Sequence, residues 1–153
     1  MNMLRIFLLL ICFCNLLMAD EVYDFRGKHF LASYLECDEK TLQDPKAIQA
    51  VMLEAAKQCG ATVLDYTAYV FPGNGLTMVI MLSESHASIH TYPEHKACFV
   101  DLFTCGERAN HEIFNQVLQN HLQSKQVNHK VFLRHQDVEE LGADVDRNVD
   151  RSE

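Results

Sequence analysis

Two stretches, each opened by a polar cap and carrying one apolar face, confine this chain to folds that lay helices against a sheet. Asp44-Pro45 supplies an N-cap with proline at the first helical position. Ile48, Val51, Met52, Ala55, Ala56 and Cys59 then recur at three- and four-residue steps, and Gly60 stops the helix at the left-handed cap position. Asn110 caps the second stretch, whose face is Ile113, Phe114, Val117, Leu118, His121 and Leu122.

Between and around them lie runs rich in β-branched and aromatic residues: 30–36, 61–70, 76–82, 87–91, 97–103 and 127–134. Phe71-Pro-Gly-Asn-Gly75 reads as a loop by its turn residues. The run 76–82 is almost wholly apolar, which predicts burial on both faces. If the run at Ala87 continues the strand before it, the order is β-α-β-β followed by β-α-β. Two such similar halves make an α+β fold, an antiparallel sheet with helices on one face. The other face then needs a cover, most simply a second copy, so a homodimer is expected.

At 153 residues and 48% apolar content, the chain has material for one core. The domain expected to fold is 20–136. Residues 137–153 form an acidic tail with a composition that does not pack. A net charge of −8 without any basic run argues against nucleic acid and suits a cationic or amine-bearing small molecule better.

Residues 1–19 differ in kind. A short positive start, an apolar stretch and Ala19 resemble a secretory signal peptide. The stretch is too short for a comfortable membrane span. Alternatively translation starts at Met18, and the upstream segment is a miscalled start. The first reading exports the protein; the second leaves it in the cytoplasm. Beyond the leader stand Cys37, Cys59, Cys98 and Cys105, which permit three disulfide pairings but form no CxxC pair. His29, His95, His111, His121, His129 and His135 show no ligand spacing either, so no metal is implied.

Chemistry concentrates in residues 83–94, Ser-Glu-Ser-His-Ala-Ser-Ile-His-Thr-Tyr-Pro-Glu, and 101–106, Asp-Leu-Phe-Thr-Cys-Gly. Taken singly, a strand serine is usually structural and a cysteine usually a core thiol. Together they equip a chain to cut itself. The Ser85 hydroxyl can attack the carbonyl of Glu84 and convert that peptide into an ester. Loss of the serine α-proton then expels Glu84 as a carboxylate, and the residue left behind hydrolyses to a pyruvoyl group with release of ammonia. Such a carbonyl forms a Schiff base with an amine and absorbs the electrons freed by decarboxylation.

These two motifs, with Gly-Lys-His-Phe-Leu-Ala-Ser-Tyr-Leu-Glu-Cys-Asp at 27–38, resemble the bacterial and archaeal S-adenosylmethionine decarboxylases, pyruvoyl enzymes of spermidine synthesis. The resemblance implies their sandwich fold and a homodimer of processed heterodimers. It implies Ser85 as pyruvoyl precursor, cleavage between Glu84 and Ser85, His90 as proton acceptor during processing and Cys105 as proton donor in turnover. It also implies Phe71 stacking on adenine and Glu94 near the ribose. Thr77 stands where the family has a serine that assists processing, and its methyl restricts the rotamers. Met78 replaces a glycine and is expected to add bulk beside the site; Tyr92 replaces a tryptophan. Two other functions use the same chemistry or fold: a pyruvoyl-dependent ornithine or arginine decarboxylase, and a non-enzymatic regulatory paralogue. An exported protein would be parted from cytosolic S-adenosylmethionine.

Overall fold

The computed structural model describes residues 26–134; the leader and the acidic tail lie outside the described residues. In chain order the elements are β1 (Gly27–Leu35), α1 (Glu39–Leu42), α2 (Pro45–Gln58), β2 (Val63–Val70), β3 (Leu76–Leu82), β4 (Ser85–Tyr92), a 3-10 turn (Pro93–His95), β5 (Ala97–Cys105), α3 (His111–Leu122) and β6 (Gln126–Arg134). All six strands form one sheet in the order β2-β3-β4-β5-β1-β6, and every pairing is antiparallel.

Both expected helix starts hold. The Asp44 carboxylate accepts from the Ala47 N–H at 3.1 Å, and the Asn110 side chain accepts from Glu112 N–H at 2.9 Å and Ile113 N–H at 3.3 Å. Gly60 has φ +94° and lies so close to Arg108 that an added Cβ would sit 2.8 Å from its carbonyl oxygen. Only glycine meets both conditions. The short α1 has no apolar periodicity to announce it; its cap is Asp38, which accepts from Thr41 N–H at 2.9 Å.

Strand alternation sorts the sheet into two unlike faces. Phe30, Ala32 and Tyr34 of β1, Met78 and Ile80 of β3, Ala87 and Ile89 of β4, and Val100 and Leu102 of β5 are buried with Ile48 and Met52 of α2 and Phe114 and Leu118 of α3. Tyr34 donates to Asn115 Oδ1 at 2.7 Å, one buried polar bond fixing α3 to the sheet.

Among the described residues no layer covers the opposite face. The expectation that 76–82 is buried on both sides fails in the single chain: Val79 is 40% and Met81 52% exposed, and Phe99 and Phe132 lie open beside them. Met78 also departs from expectation, because its side chain points into the helix-side core and is fully buried, away from Thr77. The run at Ala87 does not extend the strand before it. It belongs to β4, which begins at Ser85 and folds back on β3 through a two-residue turn, with Leu82 opposite Ser85.

Candidate active site

That turn is Ser83-Glu84. Two-residue hairpins are commonest with primed turns, which need positive φ and therefore favour Gly or Asn. Neither residue here has positive φ; the unusual dihedral falls one residue later, on Ser85 at φ +153°. For a residue with a side chain this is a sparsely populated conformation, costing on the order of 1–3 kcal/mol. The Glu84 carbonyl oxygen accepts from the Cys105 N–H at 3.0 Å. Ser85 Oγ and Cys105 Sγ stand 3.9 Å apart. Thus the β3–β4 turn and the end of β5 bring together a hydroxyl, a thiol and a peptide carbonyl polarised by a backbone donor.

The Glu84 side chain turns the other way. Its two oxygens accept from the Thr62 N–H at 2.9 Å and the Thr62 hydroxyl at 3.0 Å. Sequence reasoning missed Thr62, which lies 22 residues from Glu84 and belongs to no local motif.

A second cluster occupies the other end of the same strands. Thr77 and His90 are opposite each other in the β3–β4 ladder, and Thr77 Oγ1 and His90 Nδ1 are hydrogen-bonded at 2.9 Å. Phe71 is nearby, in a turn closed by its own N–H donating to Gly75 O at 2.7 Å. Its ring meets Tyr69 edge to face, with centroids 4.8 Å apart. Gly75 packs against Thr91 and Pro93, so a Cβ there would lie 3.3 Å from the Thr91 carbonyl oxygen. This holds the Phe71 loop against the 3-10 turn that carries Glu94, an exposed residue 4.0 Å from His95 Nε2.

The residues singled out in sequence therefore fall into two groups. Glu84, Ser85 and Cys105 form one; Phe71, Thr77, His90 and Glu94 form the other. Ser85 and His90 are five residues apart on an extended strand, roughly 17 Å at about 3.4 Å per residue. Within one chain they do not meet.

Between the groups, on the uncovered face, lie residues not singled out in sequence. Ser88 donates to Asp101 Oδ2 at 2.7 Å. His29 and His86 flank Phe103, with centroids 5.4 and 5.8 Å from its ring. Arg134 lies over the same ring at 4.4 Å. Burial lowers the pKa of His29, opposed by the Asp101 carboxylate. The signal that could have found them is alternation, since β1, β4 and β5 each send every second residue to this face. Among the described residues no group of three His, Cys, Asp or Glu could hold a metal ion.

Comparison with known proteins gives one consistent result. The family model described as S-adenosylmethionine decarboxylase matches residues 28–135. The S-adenosylmethionine decarboxylase proenzyme of Prochlorococcus marinus is 37% identical over 108 residues, covering 71% of this chain and 86% of that protein. The proenzyme of Thermotoga maritima is 42% identical over 81 residues, but the match spans only 62% of its length and 53% of this chain. The crystal structure of the adenosylmethionine decarboxylase from Aquifex aeolicus superposes with a TM-score of 0.67 at 30% identity, covering 72% of this chain and 91% of that one.

Proposed function

We propose, from the premise that this chain belongs to the S-adenosylmethionine decarboxylase family, that it is a proenzyme which cuts itself between Glu84 and Ser85 and then decarboxylates S-adenosylmethionine. The observation that carries this reading is the geometry of the turn: a strained Ser85, its hydroxyl beside the Cys105 thiol, and the Glu84 carbonyl on the Cys105 N–H.

Each part has a task. Attack of Ser85 Oγ on the Glu84 carbonyl carbon puts negative charge on the carbonyl oxygen, and the Cys105 N–H already points at that oxygen. Collapse breaks the peptide C–N bond and leaves an ester on Ser85. A base then removes the Ser85 α-proton, Glu84 departs as a carboxylate, and water replaces the nitrogen as ammonia. The pyruvoyl group so formed supplies an electrophilic carbonyl that takes an amine substrate and accepts the electron pair released with carbon dioxide. The Cys105 thiol, beside that position, is suited to return a proton to the substrate α-carbon.

The base is His90, and the distance along β4 requires that it come from elsewhere. Two copies packed through their uncovered faces in opposite directions set Glu84, Ser85 and Cys105 of one against Thr77 and His90 of the partner subunit. Phe71 and Glu94 of the partner subunit then border the substrate pocket. The same packing covers Val79, Met81, Phe99 and Phe132, an apolar surface that a soluble monomer rarely leaves open. Thr77 orients the imidazole through its 2.9 Å bond to Nδ1.

Denaturing intact mass, before and after borohydride trapping with S-adenosylmethionine, tests the reading. Two fragments divided at Glu84 and Ser85, the larger one trapping S-adenosylmethionine, are expected. Trapping of ornithine or arginine instead would reassign the substrate, and an uncut chain that traps nothing would leave a likeness of fold alone.

A further inference from the structure

The scissile turn is also held by a residue that belongs to neither group of site residues, Thr62. Besides the paired bonds to the Glu84 carboxylate, the Thr62 carbonyl accepts the Ser83 N–H at 2.9 Å. One threonine thus grips both turn residues through three bonds, two of them donated to a charged acceptor and so stronger than neutral ones. Thr62 is itself fixed. It follows Ala61, whose N–H donates to Ala56 O at 3.1 Å, and Gly60, whose N–H donates to Lys57 O at 3.0 Å. The carbonyl of the preceding Cys59 takes the Asn110 N–H at 2.8 Å, tying the end of α2 to the start of α3.

We propose that Thr62 is a positioning residue for self-cleavage: it anchors Glu84 to the end of α2 so that the Glu84 carbonyl carbon stays within reach of Ser85 Oγ. This rests on the self-cleavage reading above. Glu84 is gripped from two sides, its side chain by Thr62 and its carbonyl oxygen by the Cys105 N–H. Its peptide plane therefore cannot rotate freely, and the unusual φ of Ser85 is imposed by the anchors on either side. Without the clamp, Glu84 turns with an ordinary hairpin and Ser85 relaxes to an extended conformation. After the cut the same bonds retain the new chain end, which keeps its carboxylate at the Cys105 amide.

The test follows the full chain translated in a cell-free system, with the cut fraction read on denaturing gels. Thr62→Val removes the hydroxyl at nearly constant shape and is expected to slow cutting by roughly ten- to hundredfold, the scale of a small misplacement of reacting atoms. Thr62→Ser keeps both donors and is expected to cut like the wild type, which a merely structural role of the methyl would not allow. Hydroxylamine splits an ester and spares an amide, so it is expected to leave T62V uncut. Wild-type rates in T62V, or immediate release of both fragments by hydroxylamine, would overturn the assignment. If T62V does not fold, Glu84→Ala removes the clamp from the other side, and wild-type cutting of that chain overturns it equally. A wild-type chain that stays whole overturns the self-cleavage reading and the clamp with it.

Discussion

The Cys105 amide donates to the Glu84 carbonyl oxygen at 3.0 Å, while the Cys105 thiol lies 3.9 Å from the Ser85 hydroxyl. Under the proposed mechanism one residue offers two separable functions, a backbone donor for cutting the chain and a side chain for turnover. Cys105→Ala keeps the first and removes the second. It is expected to self-cleave and then to lose decarboxylation by about 10²- to 10⁴-fold, the usual contribution of a positioned acid. Intact mass and release of carbon dioxide from the same preparation check this; failure to cut would assign the thiol to processing.

The proposed division of the site between two copies predicts complementation. Ser85→Ala alone and His90→Ala alone are each expected to remain whole. Co-expressed, they form mixed dimers in which the H90A chain keeps Ser85 and meets His90 of the partner subunit. Only the H90A chain is then cut, which differently tagged chains on a denaturing gel reveal. Cutting in neither chain would sink the composite site.

Acid should weaken the fold in two separate windows. His111 stacks on Phe30 with ring centroids 6.3 Å apart, and burial is the main cause lowering its pKa from 6.5. As pH falls through 6.5 the unfolded chain takes up a proton that the folded chain refuses, so stability declines from there down to the folded pKa. Asp38 acts lower on the scale. Its bond from the Thr41 N–H depresses the carboxyl pKa from 3.8, so that contribution is intact above 3.8 and is lost as pH falls through the folded value. Melting temperatures of wild type and His111→Gln between pH 7.5 and 5 are expected to converge as the pH falls. Parallel curves would remove His111 from the account.

Loss of the α3 cap gives a simpler measurement. Asn110→Ala leaves the Glu112 and Ile113 amides without their side-chain acceptor and is expected to cost about 1 kcal/mol. Urea unfolding of the purified protein reads this directly, and an unchanged midpoint would show that other acceptors replace the cap.

The parts legible from sequence were those with local causes. Asp44, Gly60 and Asn110 mark their helix ends because capping acts over three or four residues, and the apolar faces report burial against the sheet. The Ser83-Glu84 turn was not legible, since it contains neither Gly, Asn nor Pro and its strain falls on Ser85. Nor was the separation of Ser85 from His90: residues close in sequence suggest one cluster, but an extended strand carries them apart at about 3.4 Å per step. Met78 was misplaced for a related reason, because alternation sends it to the core while its neighbour Thr77 faces the site. Thr62 carries no local mark at all, and only the register of β2 against β3 brings it near Glu84.

The strand order β2-β3-β4-β5-β1-β6 has a consequence for a chain severed after Glu84. The first product would own β1, β2 and β3, and the second β4, β5 and β6, yet the two alternate across the sheet. β1 of the first is enclosed between β5 and β6 of the second, and β4 with β5 lies between β3 and β1. The pieces are woven rather than docked. Neither can leave without tearing three rows of ladder bonds, so parting the products is the same event as melting the sheet, and dilution alone should not undo what the broken peptide once joined.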